Sequence, residues 1–331
     1  MSLHEAFARL RPGRSVHGIS AVLLPYDSDG RIDWPAFERL LARTRDAGLD
    51  PAVNMDTGFG DLLSDAERVA VLDATRATLG RGEPFYAGAW PDPAAAATSL
   101  LPGYHAAIAA IAARGGTPVI VQSRAMHGLD APAKAALYAE ICAPAGAAIG
   151  FELGPVFAPH GEIWSDETFE RMLAIPQLAG AKHSSLDRAT ELRRLAARDR
   201  QRPEFRVYTG NDLAIDMVAY GSDYLLGLSS FSPPAFAARD AAFARGSIDF
   251  LSLNDALQHL GNVAFRTPVP AYKHAAAMYL HLTGVLDGDG VHPRAARRPP
   301  SDRILLFDCA LRIGEINDPE RVFAERIEPF L

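Results

Sequence analysis

Lysine is nearly absent from this chain. Of thirty-three lysine and arginine side chains only Lys134, Lys182 and Lys273 are lysine, so arginine carries almost all the positive charge. Cysteine is scarcer still. Cys142 and Cys309 lie far apart with no CxxC spacing, which excludes a disulfide framework, and no pair of histidines has the HExxH spacing of a helical zinc site, so no metal is expected. Long apolar runs are missing too: none reaches roughly 18 uncharged residues, and Met1 to Gly13 lacks the continuous apolar core of a signal peptide. The expectation is a cytoplasmic protein with no membrane partner. A net charge of −7 leaves no basic surface for many phosphates, which argues against a nucleic-acid partner and for small molecules.

What the chain does contain is an alternation. Its 331 residues, 48% hydrophobic and 22% charged, suffice for a large core. A strand over 16–24 ends in the turn formers Pro25 to Gly30, and a helix follows from Asp33, a predicted N-cap. Ser64 stands three residues before Glu67 and predicts a capping box at the start of the helix after the second strand. Strand, loop and helix then recur until eight units are counted, the seventh helix predicted over 211–220 and the eighth ending near residue 244. Eight successive units predict a closed (β/α)₈ TIM barrel; an open doubly wound sheet is the competitor, but its glycine-rich phosphate turn is missing after the first strand. Beyond it the pattern turns helical, over roughly 249–265, 270–285, 301–313 and 319–328, with one long loop from Asp287 to Pro300. The expected division is a barrel over 1–245 and a C-terminal helical extension over 246–331.

Catalytic groups of such barrels sit where the strands end. Those positions hold Asp56, Thr57 and Gly58 after the second strand, Gln122 and Arg124 after the fourth, and Glu152 at the end of the fifth. Further round come Lys182 and Ser184 on the sixth, Asn211 and Asp212 after the seventh, and Gly227 at the eighth. Lys182 is the sharpest of these. Within the apolar run Leu178 to Lys182, burial would disfavour its ammonium form and free an amine that can attack a carbonyl, which a guanidinium cannot do. The bland alternative is a lysine that reaches from a strand end to water. Glu152 ends the neighbouring apolar run and is expected beside Lys182, either as a proton shuttle or as an ion-pair partner. His183, one residue on, alternates to the opposite side and is expected to pack. The loop from Asp56 to Asp61 could offer the Thr57 hydroxyl and backbone N–H groups to a carboxylate, or serve only as a loop before a capped helix.

Several stretches together resemble the dihydrodipicolinate synthase and N-acetylneuraminate lyase superfamily of class I aldolases. Leu24-Pro25-Tyr26-Asp27 with Gly30-Arg31-Ile32-Asp33 is similar to its opening pattern, and Asp56-Thr57-Gly58 with Leu63-Ser64-Asp65-Ala66-Glu67-Arg68 to its GTTGE loop and following helix. Gly180-Ala181-Lys182-His183-Ser184 resembles its lysine motif, Gly210-Asn211-Asp212 a later turn, and Gly221 to Leu228 the eighth strand. The resemblance implies a (β/α)₈ barrel, usually a homotetramer with a homodimer as the smaller option, and no cofactor. It also implies Lys182 as the residue that forms an imine with pyruvate or another 2-oxo acid or sugar acid, in an aldolase or dehydratase reaction.

The chain departs from the family in four places. Asp56 replaces one of two substrate-binding threonines. The fifth-strand tyrosine motif reads Phe151-Glu152-Leu153-Gly154-Pro155, with Glu152 taken to stand in the tyrosine position. No arginine follows in Val156 to Gly161, and no second tyrosine lies in Gln122 to Gly128, so a true dihydrodipicolinate synthase is not expected. The alternative to a lyase is a degenerate barrel that binds a small carboxylate as a sensor or scaffold.

Overall fold

Eight short parallel strands close on themselves in sequential order, β1 (Gly18–Ala21), β2 (Asp50–Val53), β3 (Tyr86–Ala89), β4 (Thr117–Ile120), β5 (Ala148–Leu153), β6 (Leu178–Ser184), β7 (Arg206–Thr209) and β8 (Asp223–Leu226). The computed structural model describes residues 3–91, 97–157 and 161–330; positions 158–160 of the segment predicted to lack an arginine lie outside them. The fold is a (β/α)₈ TIM barrel with a C-terminal helical region. A short helix α1 (Leu3–Phe7) precedes it. The barrel helices are α2 (Trp34–Asp46), α3 (Asp65–Leu79), α4 (Ala97–Ala112), α5 (Ala131–Cys142), α6 (Asp166–Met172), α7 (Arg188–Gln201) and α8 (Pro233–Ala244). After them come α9 (Asp249–Ala264), α10 (Tyr272–Leu282), α11 (Asp302–Ile313) and α12 (Pro319–Arg326).

Local chemistry explains the helix starts. The Asp33 carboxylate accepts the Ala36 N–H ahead of Pro35, and Ser64 and Glu67 exchange bonds in a complete capping box. Ser165 caps α6 through the Thr168 N–H. The seventh helix is the exception. In place of an α-helix over 211–220 the chain forms a single 3₁₀ segment, Ile215–Tyr220, closed by Gly221 in the left-handed region at φ 110°. Asn211 and Asp212 spend their side chains on Leu186 N–H and Leu228 N–H, and such bonds compete with helix formation.

Strand alternation sorts the core into two parts. Ile149, Phe151 and Leu153 of β5 point into the barrel with Ile19, Val119, Val121, Tyr208 and Leu225. The intervening residues face the helices. A Cβ on Gly150 would come within 2.7 Å of the Trp164 ring, which places that side of β5 against the helical layer. The same rule puts Lys182 and Ser184 inside and His183 outside.

Candidate active site

Lys182 lies at the C-terminal end of β6, 8% exposed, in register with Phe151 on β5 and Tyr208 on β7. Its Nζ stands 4.4 Å from the centre of the Phe151 ring. All three lysines are buried, but the other two are neutralised: Lys134 Nζ donates to Glu162 at 2.6 Å and Lys273 Nζ to Asp56 at 2.9 Å. Among the described residues Lys182 has no such partner. Burial pulls its amine below the usual lysine value, and the Asp212 and Asp56 carboxylates oppose that shift without cancelling it. Space for the side chain is made by Gly210, where a Cβ would fall 2.6 Å from Lys182 Cε and 2.1 Å from Ser184 Oγ.

Lys182 opens on a cavity of about 20 Å³ lined by Asp56, Phe151, Leu153, Phe157, Ser184, Gly210, Asp212, Gly227, Phe265 and Tyr272. That is room for about one water molecule, so a larger ligand enters only as side chains give way. The C-terminal helices supply part of this wall. Tyr272, at the start of α10, places its hydroxyl 2.9 Å from Thr57 Oγ1 and donates to Asp56 Oδ2 at 2.9 Å. Gly227 permits this approach, since a Cβ there would lie 3.0 Å from the Tyr272 ring and 3.1 Å from Thr57 Oγ1.

The four titratable groups are held in different states. Burial would raise the Asp56 carboxyl, but Lys273 and Tyr272 hold it below the usual range. Burial pushes Asp212 up to about 6 despite the pull of Lys182. Burial, with Asp56 beside it, keeps the Tyr272 phenol protonated well above its ordinary value. An amine with lowered affinity for protons, a carboxyl near neutrality and a protonated phenol make a set that can attack a carbonyl and move protons around it.

Sequence expectation and structure part company at Glu152. It does not face Lys182; the β5 position in register with Lys182 belongs to Phe151, and Glu152 pairs in register with His183 on the helical side. There it is fully buried. Glu152 accepts from His183 Nδ1 at 2.6 Å, Arg194 Nη2 at 3.0 Å and the Trp164 N–H at 3.0 Å. Burial would raise its carboxyl, but His183 and Arg194 keep it below the usual value, while Glu152 raises His183 against the effect of burial. The reason is the two-residue period of a strand, which carries Glu152 outward for the same reason as His183.

The other predicted positions divide. Asp56, Ser184 and Gly227 line the cavity with Lys182, and Thr57 with Gly58 forms a 3₁₀ turn (Asp56–Gly58) behind it. Gln122 is occupied elsewhere, donating to Glu162 O at 2.9 Å and accepting from Glu162 N at 2.8 Å. Arg124 is exposed on a separate 3₁₀ turn, and Asn211 donates to Glu191 Oε2 at 2.6 Å behind the strands. Sequence reading missed Tyr272 and Lys273. Their one signal was composition, because Lys273 is one of only three lysines. No cluster of three or more His, Cys, Asp or Glu able to hold a metal occurs among the described residues, and no helix there is long and apolar enough to cross a membrane.

A family model described as a protein of unknown function, DUF993, matches residues 15–331. The chain belongs to the DUF993 family. No curated protein matches it. Among solved structures, the DUF993 chain superimposes on dihydrodipicolinate synthase from Thermotoga maritima with a TM-score of 0.75 and 17% identity, covering 92% of this chain and 100% of that one. The chloride-inhibited synthase from Acinetobacter baumannii, complexed with pyruvate, gives 0.73 and 20%, over 92% and 100%. YagE from E. coli K12, of the dihydrodipicolinic acid synthase family and also in complex with pyruvate, gives 0.78 and 16%, over 91% and 99%. This DUF993 protein therefore shares their fold, C-terminal helices included.

Proposed function

We propose that this DUF993 protein is an imine-forming lyase of the class I aldolase type, with Lys182 as nucleophile toward a small carbonyl compound. One observation carries the reading. Lys182 is buried at the C-terminal rim of the barrel, without an ion-pair partner among the described residues, and opens on a cavity, whereas the chain's two other lysines are neutralised by carboxylates.

In this mechanism the free amine adds to the carbonyl carbon, and one proton passes from nitrogen to oxygen. The Asp212 acid supplies a second proton, water leaves, and an iminium stands opposite the Asp212 carboxylate. The iminium withdraws electrons from the adjacent bond, which allows aldol cleavage or loss of a β-hydroxyl. Tyr272, held between Thr57 and Asp56, is the phenol available to carry a proton there, in place of the missing fifth-strand tyrosine. Two of the neighbouring structures hold pyruvate, which makes it the reference carbonyl compound against which others are compared.

The test is reductive trapping with cyanoborohydride across a panel of 2-oxo acids, ketones and aldehydes, followed by peptide mass analysis. A reduced adduct on the peptide containing Lys182 is expected. Absence of any adduct there, with every carbonyl tried, removes the reading. The Phe151 ring in place of a phenol favours a second reading, a barrel that binds without turnover; tight binding with neither adduct nor conversion would select it.

A further inference from the structure

We infer that the carbonyl compound this site accepts is uncharged, a small hydroxylated ketone or aldehyde, and that 2-oxo acid anions are poor ligands. The inference rests on the imine reading of Lys182 and narrows it to a substrate class.

Charge balance is the first ground. Among the described residues Lys182 is the only cation lining the cavity, and forming the imine commits it to the carbonyl carbon. Lys273, which contacts the lining residue Asp56, is already bound to its Oδ1 at 2.9 Å. Two carboxylates, Asp56 and Asp212, line the same cavity. With an uncharged substrate, the iminium and Lys273 balance Asp56 and Asp212. A substrate carboxylate would add one unbalanced negative charge among buried groups, where water cannot screen it.

The hydrogen-bond donors point the same way. Where the resembled family offers two threonines to a carboxylate, this chain has Asp56, which only accepts when ionised. The remaining hydroxyl, on Thr57, is 2.9 Å from the Tyr272 hydroxyl, and Tyr272 donates to Asp56 at 2.9 Å. Neither donor is spare. What faces the cavity instead is the Asp212 carboxylate, which accepts when ionised, and the Ser184 hydroxyl, which can donate or accept, beside apolar walls from Phe151 and Phe265. Acceptors next to an attacking amine suit a carbonyl compound carrying hydroxyl groups.

Equal concentrations of pyruvate, hydroxyacetone, dihydroxyacetone and glycolaldehyde, each with cyanoborohydride and full-length protein, test this directly. Labelling at Lys182 is normalised to labelling of N-acetyl-lysine methyl ester by the same compound, which removes intrinsic carbonyl reactivity. The normalised rate for at least one uncharged compound should exceed that for pyruvate by at least about tenfold. Asp56→Asn and Asp212→Asn should each narrow the ratio, pyruvate gaining on the uncharged compounds within the same variant; Asp212→Asn also removes the acid and slows all of them, and two variants are used because one of them could fail to fold. Pyruvate labelling as fast as the uncharged set overturns the inference and leaves the imine reading standing. A ratio unmoved in folded variants overturns the charge account. No labelling by any compound removes both.

Discussion

Phe151 and Lys182 are register partners on adjacent strands, with the amine nitrogen 4.4 Å from the ring centre. A cation above an aromatic face gains some attraction, yet a phenyl ring offers no proton and no hydrogen-bond acceptor of the strength of a carboxylate. The ring covers one side of the amine, and no counter-ion touches it among the described residues.

Lys182→Met should therefore stabilise the chain while ending its chemistry. Because burial lowers the amine's proton affinity, holding an ammonium there works against folding, and an apolar side chain of similar length removes that cost. A gain of about 0.5–2 kcal/mol in chemical denaturation at neutral pH is expected, with no reductive adduct. A variant less stable than the parent would contradict the picture of an unpaired buried amine.

Glu152 acts through stability. Removing the carboxylate of a fully buried ion pair leaves His183 without its partner and Arg194 with Asp166 alone, so Glu152→Ala should cost about 3–5 kcal/mol. Turnover per folded molecule should stay within a few-fold of the parent. A turnover loss of a hundredfold in folded Glu152→Gln would return this residue to the chemistry.

Tyr272→Phe probes the phenol that arrives from α10. Asp56 and Thr57 each lose a partner, at about 1–3 kcal/mol for the buried groups left unpaired. If the phenol carries protons, kcat should fall by about 10²–10⁴ while cyanoborohydride trapping at Lys182 persists. Unchanged kcat would assign Tyr272 to holding the Asp56 turn.

The pH dependence follows from Asp212. Its folded value of about 6 stands above 3.8, so its contribution to stability is fully present below about pH 3.8 and is lost as pH rises through about 6. Asp212→Asn keeps an oxygen for the Leu228 N–H, at 2.8 Å in the parent, and removes this loss. The variant should gain stability relative to the parent between pH 4 and pH 8. Parallel stability profiles would show that Asp212 does not titrate in this range.

Gly210→Ala tests how tightly the nucleophile is packed. The added Cβ would fall 2.1 Å from Ser184 Oγ and 2.6 Å from Lys182 Cε, so one of the two side chains must move. A cost of about 1–3 kcal/mol and slower trapping at Lys182 are expected. Trapping at the parent rate would mean that Ser184 alone yields.

Sequence alone determined the parts that repeat or are local. Eight strands and seven of their eight helices, the Asp33 and Ser165 caps, the Ser64 capping box and the four C-terminal helices follow from periodicity and from side chains that satisfy backbone groups a few residues away. The position of Lys182 at the barrel rim followed as well, because a strand end is a place in the repeat. The tertiary structure decided which side chains meet. It turned Glu152 outward, a matter of single-residue register, because shifting a strand position by one reverses its face. It also brought Tyr272 and Lys273 onto Asp56 across more than two hundred residues. No local pattern encodes that contact; packing of the C-terminal helices over the open end of the barrel creates it, and with it the charge balance of the site.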